Sequence, residues 1–171
     1  MRVIGGEFRS RRLRTLPGRA TRPTPDRLRE TLFDVLGPLV EGAVFVDAYA
    51  GTGAVGIEAL SRGAAEAIFL ENSRAAVQVI QENLRALGLE GRARVISGAV
   101  GAHLARYPAK IVFMDPPYGL VREYEFVGRC PAPLVVVQHS KRLELRDGYG
   151  KLRRTRTMKQ GDNALSFFTA A

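Results

Sequence analysis

The stretch Ala43-Val44-Phe45-Val46-Asp47-Ala48-Tyr49-Ala50-Gly51-Thr52-Gly53-Ala54-Val55-Gly56 decides the fold. An apolar run ends in a carboxylate, a glycine-rich turn follows, and helix-forming residues continue to Arg62 before Gly63. That order reads as a buried strand feeding a turn and then a helix N-terminus. The glycines let the backbone approach a ligand closely, and a helix N-terminus favours an anion. Gly51, Gly53 and Gly56 have the spacing of a dinucleotide loop, and Glu71 ends the next strand, Ala67-Ile68-Phe69-Leu70. A carboxylate there can accept bonds from ribose hydroxyls. Taken alone, the loop admits several ligands, and also a tight turn with none.

Two details argue against a dinucleotide. The dinucleotide pattern puts its first glycine directly after the strand, whereas Asp47-Ala48-Tyr49-Ala50 intervenes here. Asp47 would also repel a pyrophosphate and attract a cation. A ligand carrying an ammonium and a sulfonium, as S-adenosylmethionine does, suits that acid better.

Working outward, strands and helices alternate. Thr24 is a candidate N-cap, with Pro25 at the first helical position and Asp26 at the positive end. Leu28, Leu32, Val35 and Leu36 make the apolar stripe of that helix, and Gly37-Pro38 stop it. Ser73 caps a second helix bearing Val77, Ile80, Leu84 and Leu87, which Gly88 ends. Strands follow at 94–96, 111–114 and 134–137, with helical stretches expected at 101–106 and 121–129. Residues 152–158 and 164–169 read as an antiparallel hairpin around Gln160-Gly161-Asp162-Asn163. This order predicts a doubly wound, mostly parallel α/β sheet with an antiparallel edge.

A second stretch carries chemistry. Ile111-Val112-Phe113-Met114 runs directly into Asp115-Pro116-Pro117-Tyr118-Gly119. Proline cannot continue a sheet ladder, so the strand stops there. The turn is stiff and rich in acceptors, with an aromatic ring beside it. A planar amine such as a nucleobase edge would use all of these. A strand merely ended by proline reads equally well from the tetrapeptide alone.

The chain has 171 residues and a formal net charge of +9. That length fits one domain with a small extension, large enough to fold without disulfide or metal. Cys130 is the sole cysteine, which fits a reducing cytosol and excludes a disulfide framework or cysteine zinc site. No signal peptide and no membrane span are expected, which places the protein in the cytoplasm. Residues 1–30 carry nine arginines, and a second basic cluster runs from Lys141 to Lys159. Two basic ends on a near-neutral middle point to a polyanionic partner. Arg2-Val3-Ile4 and residues 8–16 read as two short strands about Gly5-Gly6, a basic hairpin with little core of its own. Cys130 reads as packing, and Tyr49 as either core or cofactor wall. His139 borders the cleft, with packing the favoured reading.

In order, Asp47-Ala48-Tyr49-Ala50-Gly51-Thr52-Gly53, Glu71 and Asp115-Pro116-Pro117-Tyr118 resemble the motifs of class I S-adenosylmethionine-dependent amino-methyltransferases. More narrowly, the chain resembles the bacterial family that methylates a guanine N2 of 16S ribosomal RNA. Residues 21–33 (Thr-Arg-Pro-Thr-Pro-Asp-Arg-Leu-Arg-Glu-Thr-Leu-Phe) and 56–64 carry that likeness, with Arg2-Val3-Ile4-Gly5-Gly6 and Arg11-Arg12-Leu13.

The resemblance implies a Rossmann-like fold with a seven-stranded sheet, a C-terminal antiparallel hairpin and a small basic N-terminal hairpin. The division it suggests is an extension over 1–20 and a methyltransferase domain over 21–171. S-adenosylmethionine would be the cofactor, with Asp47, Gly51 and Gly53 at its methionine part and Glu71 at its ribose. Arg22 and Thr24 would close over that side. Asp115, Pro116 and Tyr118 would hold the target base and catalyse transfer. Arg9, Arg11, Arg12, Arg14, Arg153 and Arg154 would hold the RNA. The partner would be 16S rRNA in an assembled or assembling small subunit, with guanine 966 the family target and neither metal nor membrane involved. After the third strand such enzymes often place an acid or amide for the adenine amine. Here that stretch is Ser97-Gly98-Ala99-Val100, so Ser97 or a backbone group is the expected substitute. Asp-Pro-Pro-Tyr also occurs in adenine-N6 methyltransferases acting on DNA or RNA, which remain the alternative in this class. From other classes, a non-catalytic RNA-binding module and an NAD-linked oxidoreductase are the rivals.

Overall fold

The computed structural model describes residues 1–17, 24–117 and 119–170. Its centre is one sheet that is eight-stranded among the described residues, in the order β3-β2-β1-β4-β5-β8-β7-β6. The strands are β1 Val44–Ala48, β2 Glu66–Glu71, β3 Ala93–Ser97, β4 Ile111–Met114, β5 Leu134–Ser140, β6 Gly148–Tyr149, β7 Leu152–Gln160 and β8 Asn163–Ala170. The first five are parallel, and the last three close one edge antiparallel. The expected count of seven falls one short. The added strand is β6, two residues long, with Tyr149 opposite Leu152. A pair of residues shows no alternation, so nothing in the sequence marks it.

The helices are α1 Asp26–Leu36, α2 Ala54–Ser61, α3 Arg74–Ala86 and α4 Val100–His103. The stretch Val121–Arg129, expected as an α-helix, is a 3-10 helix, and Leu104–Arg106 continues α4 in the same tighter form. Alternation along the strands divides the core. Phe45, Phe69, Phe113 and Val136 meet α1, α2 and α3 on one face. Val46, Ile68, Val112 and Val137 meet α4 and Val121–Arg129 on the other. Burial of both faces is what makes these strands continuous apolar runs. β1 lies between β2 and β4, so the chain order reverses at the C-terminal ends of β1 and β4. Open α/β sheets bind ligands at that crevice.

Thr24 does not cap α1. Pro25 occupies the cap position and no side chain bonds there. Thr24 is buried instead, and its hydroxyl donates to Gln138 Oε1 at 3.2 Å. Ser73 does cap α3, accepting from the Ala76 N–H.

The N-terminal segment pairs antiparallel with itself, as expected, but over a short stretch. One bridge joins Arg2 and Arg12, and the Val3 and Leu13 N–H groups donate to the Arg11 and Met1 carbonyls, each at 2.9 Å. The segment is also held by side chains of the main body. The buried Glu58 carboxylate accepts the N–H groups of Ile4 and Gly5, each at 2.9 Å, and also pairs with Arg62 at 2.8 Å. Ser61 Oγ accepts from the Phe8 N–H and donates to the Gly5 carbonyl. Gly6 lies so close to α2 that a Cβ would stand 2.0 Å from the Ser61 oxygen. Asn83 of α3 accepts from the Arg14 N–H at 2.7 Å and donates to the Arg14 and Thr52 carbonyls. Val3 and Leu13 are buried in the core beneath. Among the described residues no helix is long and apolar enough to cross a membrane.

Candidate active site

Four neighbouring strands end in the same way. Two residues beyond a buried apolar side chain, on the same face, each places a polar one. The pairs are Phe69 and Glu71, Phe45 and Asp47, Phe113 and Asp115, and Val136 and Gln138. In sheet order these are Glu71, Asp47, Asp115 and Gln138 on β2, β1, β4 and β5. Asp115 and Gln138 are level, and Asp47 sits two residues lower, opposite Phe69 and Phe113. All four line one cavity of about 990 Å³, with Thr24, Tyr49, Gly51 and Pro116.

The glycine-rich turn sets the floor. Tyr49, Gly51 and Gly53 have positive φ, at 61°, 59° and 82°. A Cβ on Gly51 would meet nothing, because it faces the cavity. Gly56 packs flat on β2, where a Cβ would stand 2.3 Å from the Phe69 ring. Gly53, expected beside the cofactor, lies a step behind the wall. It turns the chain into α2, and its Cβ position is 3.2 Å from Ile80.

The carboxylates are held differently. Asp47 is 2% exposed and accepts from the Gly56 N–H at 2.9 Å. Burial pushes its carboxyl well above the usual range, the Gly56 N–H pulls it back, and Asp115 and Glu71 add repulsion. Glu71 is anchored by two backbone donors, Gly51 at 2.7 Å and Ser73 at 2.8 Å. Asp115 has no donor among the described residues, and burial raises its pKa from 3.8 to about 7. The Pro116 carbonyl likewise meets no donor there. Four carboxylates line the cavity, Glu123 being the fourth, against one arginine, Arg129. On a chain of net charge +9 that local excess of acid suits a cation. A pyrophosphate would face all four.

The far wall was not legible in the sequence. Ala99, Val100, Gly101 and Ala102 line it, with Phe126 of the 3-10 helix packed where a Gly101 Cβ would be. Ser97, the expected substitute for an adenine-binding acid, is exposed and lies outside this lining. Tyr49 is cavity wall, and burial and Glu123 push its hydroxyl pKa up. His139 borders the cavity but is satisfied within the protein. Its Nδ1 donates to the Ser140 carbonyl at 2.8 Å, so Nε2 accepts from the Ser166 hydroxyl at 2.7 Å. Burial lowers its pKa and keeps it neutral. Cys130 is buried packing, its thiol pushed up to about 12. Arg22 and Tyr118 lie outside the described residues. Among those described, no cluster of His, Cys, Asp and Glu is placed to hold a metal.

Gln138 was missed, although the sequence carried its signal. Leu134-Val135-Val136-Val137 ends in a polar residue as the strands before Asp47, Glu71 and Asp115 do.

The arginines expected to meet RNA divide. Arg9 and Arg12 are exposed and make no side-chain bond to another described residue. Arg14 pairs with Glu82 at 3.0 Å, and Arg11 reaches the Ala86 carbonyl at 3.4 Å. Arg153 bonds the Gly150 and Leu152 carbonyls. Arg154 is tied down by Asp147 at 2.7 Å and Glu144 at 3.6 Å, with its side chain 18% exposed. It braces the β6–β7 corner.

The model of the family "Conserved hypothetical protein 95" matches residues 1–169. The Bacillus subtilis protein "Putative rRNA methyltransferase YlbH" is 33% identical over 182 residues, 98% of each chain. "Ribosomal RNA small subunit methyltransferase D" of Escherichia coli is 45% identical over 127 residues, 72% of this chain and 64% of that protein. The solved structure of "Putative methyltransferase yhhF" from Escherichia coli superposes with a TM-score of 0.85 at 36% identity, covering 99% of this chain and 97% of that one.

Proposed function

This chain belongs to the "Conserved hypothetical protein 95" family, and from that premise we propose that it methylates the N2 amine of a guanine in 16S ribosomal RNA. The observation that carries the reading is that Asp47 and Asp115, two residues apart in register on adjoining strands, line one acidic cavity. The cofactor is S-adenosylmethionine, which when bound supplies a methyl group on a positively charged sulfur. The residues present fit it. Buried Asp47 calls for a positive partner, Gly51 leaves its Cβ position open, and Glu71 keeps lone pairs for hydroxyls.

The chemistry left to the protein is positioning. An exocyclic amine delocalises its lone pair into the ring and is a poor nucleophile as it stands. Asp115 and the Pro116 carbonyl are acceptors without protein donors, so they take the two amine hydrogens and turn the lone pair outward. With a pKa near 7, Asp115 is also matched to receive the proton released. Tyr118 stacks on the base, which leaves its paired context at a cost of a few kcal/mol. Arg9 and Arg12 are the prime phosphate contacts, Arg11, Arg14 and Arg153 contribute after exchanging their present partners, and residues 1–20 act as the RNA-facing extension of the domain over 21–171.

The test is incubation with S-adenosylmethionine and small ribosomal subunits from cells lacking the enzyme, followed by nucleoside mass spectrometry. N2-methylguanosine at one site, with guanine 966 the first position to inspect, is the expected product. N6-methyladenosine, or no methylated base, overturns the reading.

A further inference from the structure

We propose that Gln138 is the residue that selects guanine, by reading the N1–H and O6 of the base whose N2 lies at Asp115. The inference rests on the guanine-N2 reading above and adds to it the means of choosing the base.

β4 and β5 pair in parallel up to Met114 opposite Val137, and Asp115 and Gln138 are the next residue on each. Their inner neighbours Phe113 and Val136 share one face of the sheet. The two polar side chains therefore stand side by side on that face, about one strand spacing (~4.8 Å) apart. Both line the cavity. A base whose amine is pinned at Asp115 must present an adjacent part of its edge to Gln138.

The orientation of the amide is set by Thr24, which lines the same cavity. The Thr24 hydroxyl donates to Gln138 Oε1 at 3.2 Å, and Gln138 is only 7% exposed. Its Nε2 donates to no described residue, which leaves a hydrogen-bond donor at the cavity wall. Oε1 retains a second lone pair. The side chain thus offers a donor and an acceptor next to each other. On the Watson–Crick edge of guanine, N2 is followed by N1–H, a donor, and O6, an acceptor. The carboxamide complements that pair, with Oε1 taking N1–H and Nε2 giving to O6. Asp115 and Pro116 hold N2, so the whole edge is engaged. Adenine pinned by N6 brings N1, an acceptor, beside Oε1 and has no carbonyl for Nε2. One acceptor then faces another, and a buried donor goes unpaired, the situation that rejects a substrate most strongly.

2-Aminopurine isolates this contact, because it keeps the C2 amine but lacks both N1–H and O6. The experiment compares methyl transfer to two synthetic RNAs carrying guanine or 2-aminopurine at the mapped target, each assembled into the subunit. Wild type is compared with Gln138→Leu and Gln138→Glu, and S-adenosylmethionine affinity confirms that each variant is folded. Wild type is expected to favour guanine by roughly 10- to 100-fold in kcat/KM. In Gln138→Leu that ratio should fall to within about threefold of the intrinsic difference between the two amines, through loss of guanine turnover. Gln138→Glu should also lose guanine, because it sets a carboxylate against O6. A ratio in Gln138→Leu equal to that of wild type overturns the inference while leaving the guanine-N2 reading intact. Failure of wild type to methylate the guanine RNA overturns both.

Discussion

The ends of β1 and β4 carry the same chemical group in the same cavity, yet the protein treats the two differently. Asp47 is 2% exposed, fixed by the Gly56 N–H, and pushed well above the usual carboxylate range. Asp115 meets no donor among the described residues and sits near pH 7. One is a fixed acid awaiting a permanent countercharge. The other is an acceptor left unmatched for a transient partner. Two prolines after Asp115 bring no N–H groups, whereas the glycine-rich turn after Asp47 brings the Gly56 N–H back onto it. The local sequence after each acid therefore decides whether it is held or open.

That contrast predicts a division of labour. Asp115→Asn should cut methyl transfer about a thousandfold while cofactor affinity changes by less than about threefold. Turnover assays beside equilibrium binding read both quantities, and equal losses would erase the distinction between the two ends. Asp47→Asn should act the other way. It removes a charge-assisted contact, so cofactor affinity should drop roughly 10- to 100-fold by titration calorimetry. Turnover at saturating cofactor should fall much less.

The pH dependence sharpens the same comparison. In the free enzyme Asp115 can take up the released proton only when ionised, so kcat/KM for RNA should rise about tenfold per pH unit below 7 and level off above it. Stability runs in the opposite sense. The folded carboxyl titrates near 7 and the unfolded one near 3.8, so between those values the native state binds the extra proton. Stability is greatest below the lower value, falls as pH rises, and is constant above about 7. Asp115→Asn should therefore raise Tm of the ligand-free protein by roughly 10 °C at pH 8 and hardly at all at pH 4, by differential scanning calorimetry.

Much of this was legible in the chain. Val44-Phe45-Val46 before Asp47, and Ile111 to Met114 before Asp115, show their strands because both faces of the sheet are covered. The glycines announce the turn because Gly53 needs its positive φ and Gly56 its contact with Phe69. What stayed hidden depends on tertiary partners. Thr24 has the chemistry of an N-cap, but Gln138, 114 positions away, takes its hydroxyl. Arg154 has the look of a phosphate ligand, but the corner at Asp147 claims it. The basic N-terminal segment shows no hydrophobic pattern of its own, because Glu58, Ser61 and Asn83 hold its backbone. None of these ties leaves a periodicity to read.

The central claim is that two unequal acids make a cavity poised for a cation, and proton linkage tests it most directly. S-adenosylmethionine binding is measured by calorimetry at pH 7 in two buffers of different ionisation enthalpy. Protonated carboxyls meeting a cationic ligand should ionise, so binding should release about one proton, and less in Asp115→Asn. Binding with no proton release, or with the same release in wild type and Asp115→Asn, would contradict the account.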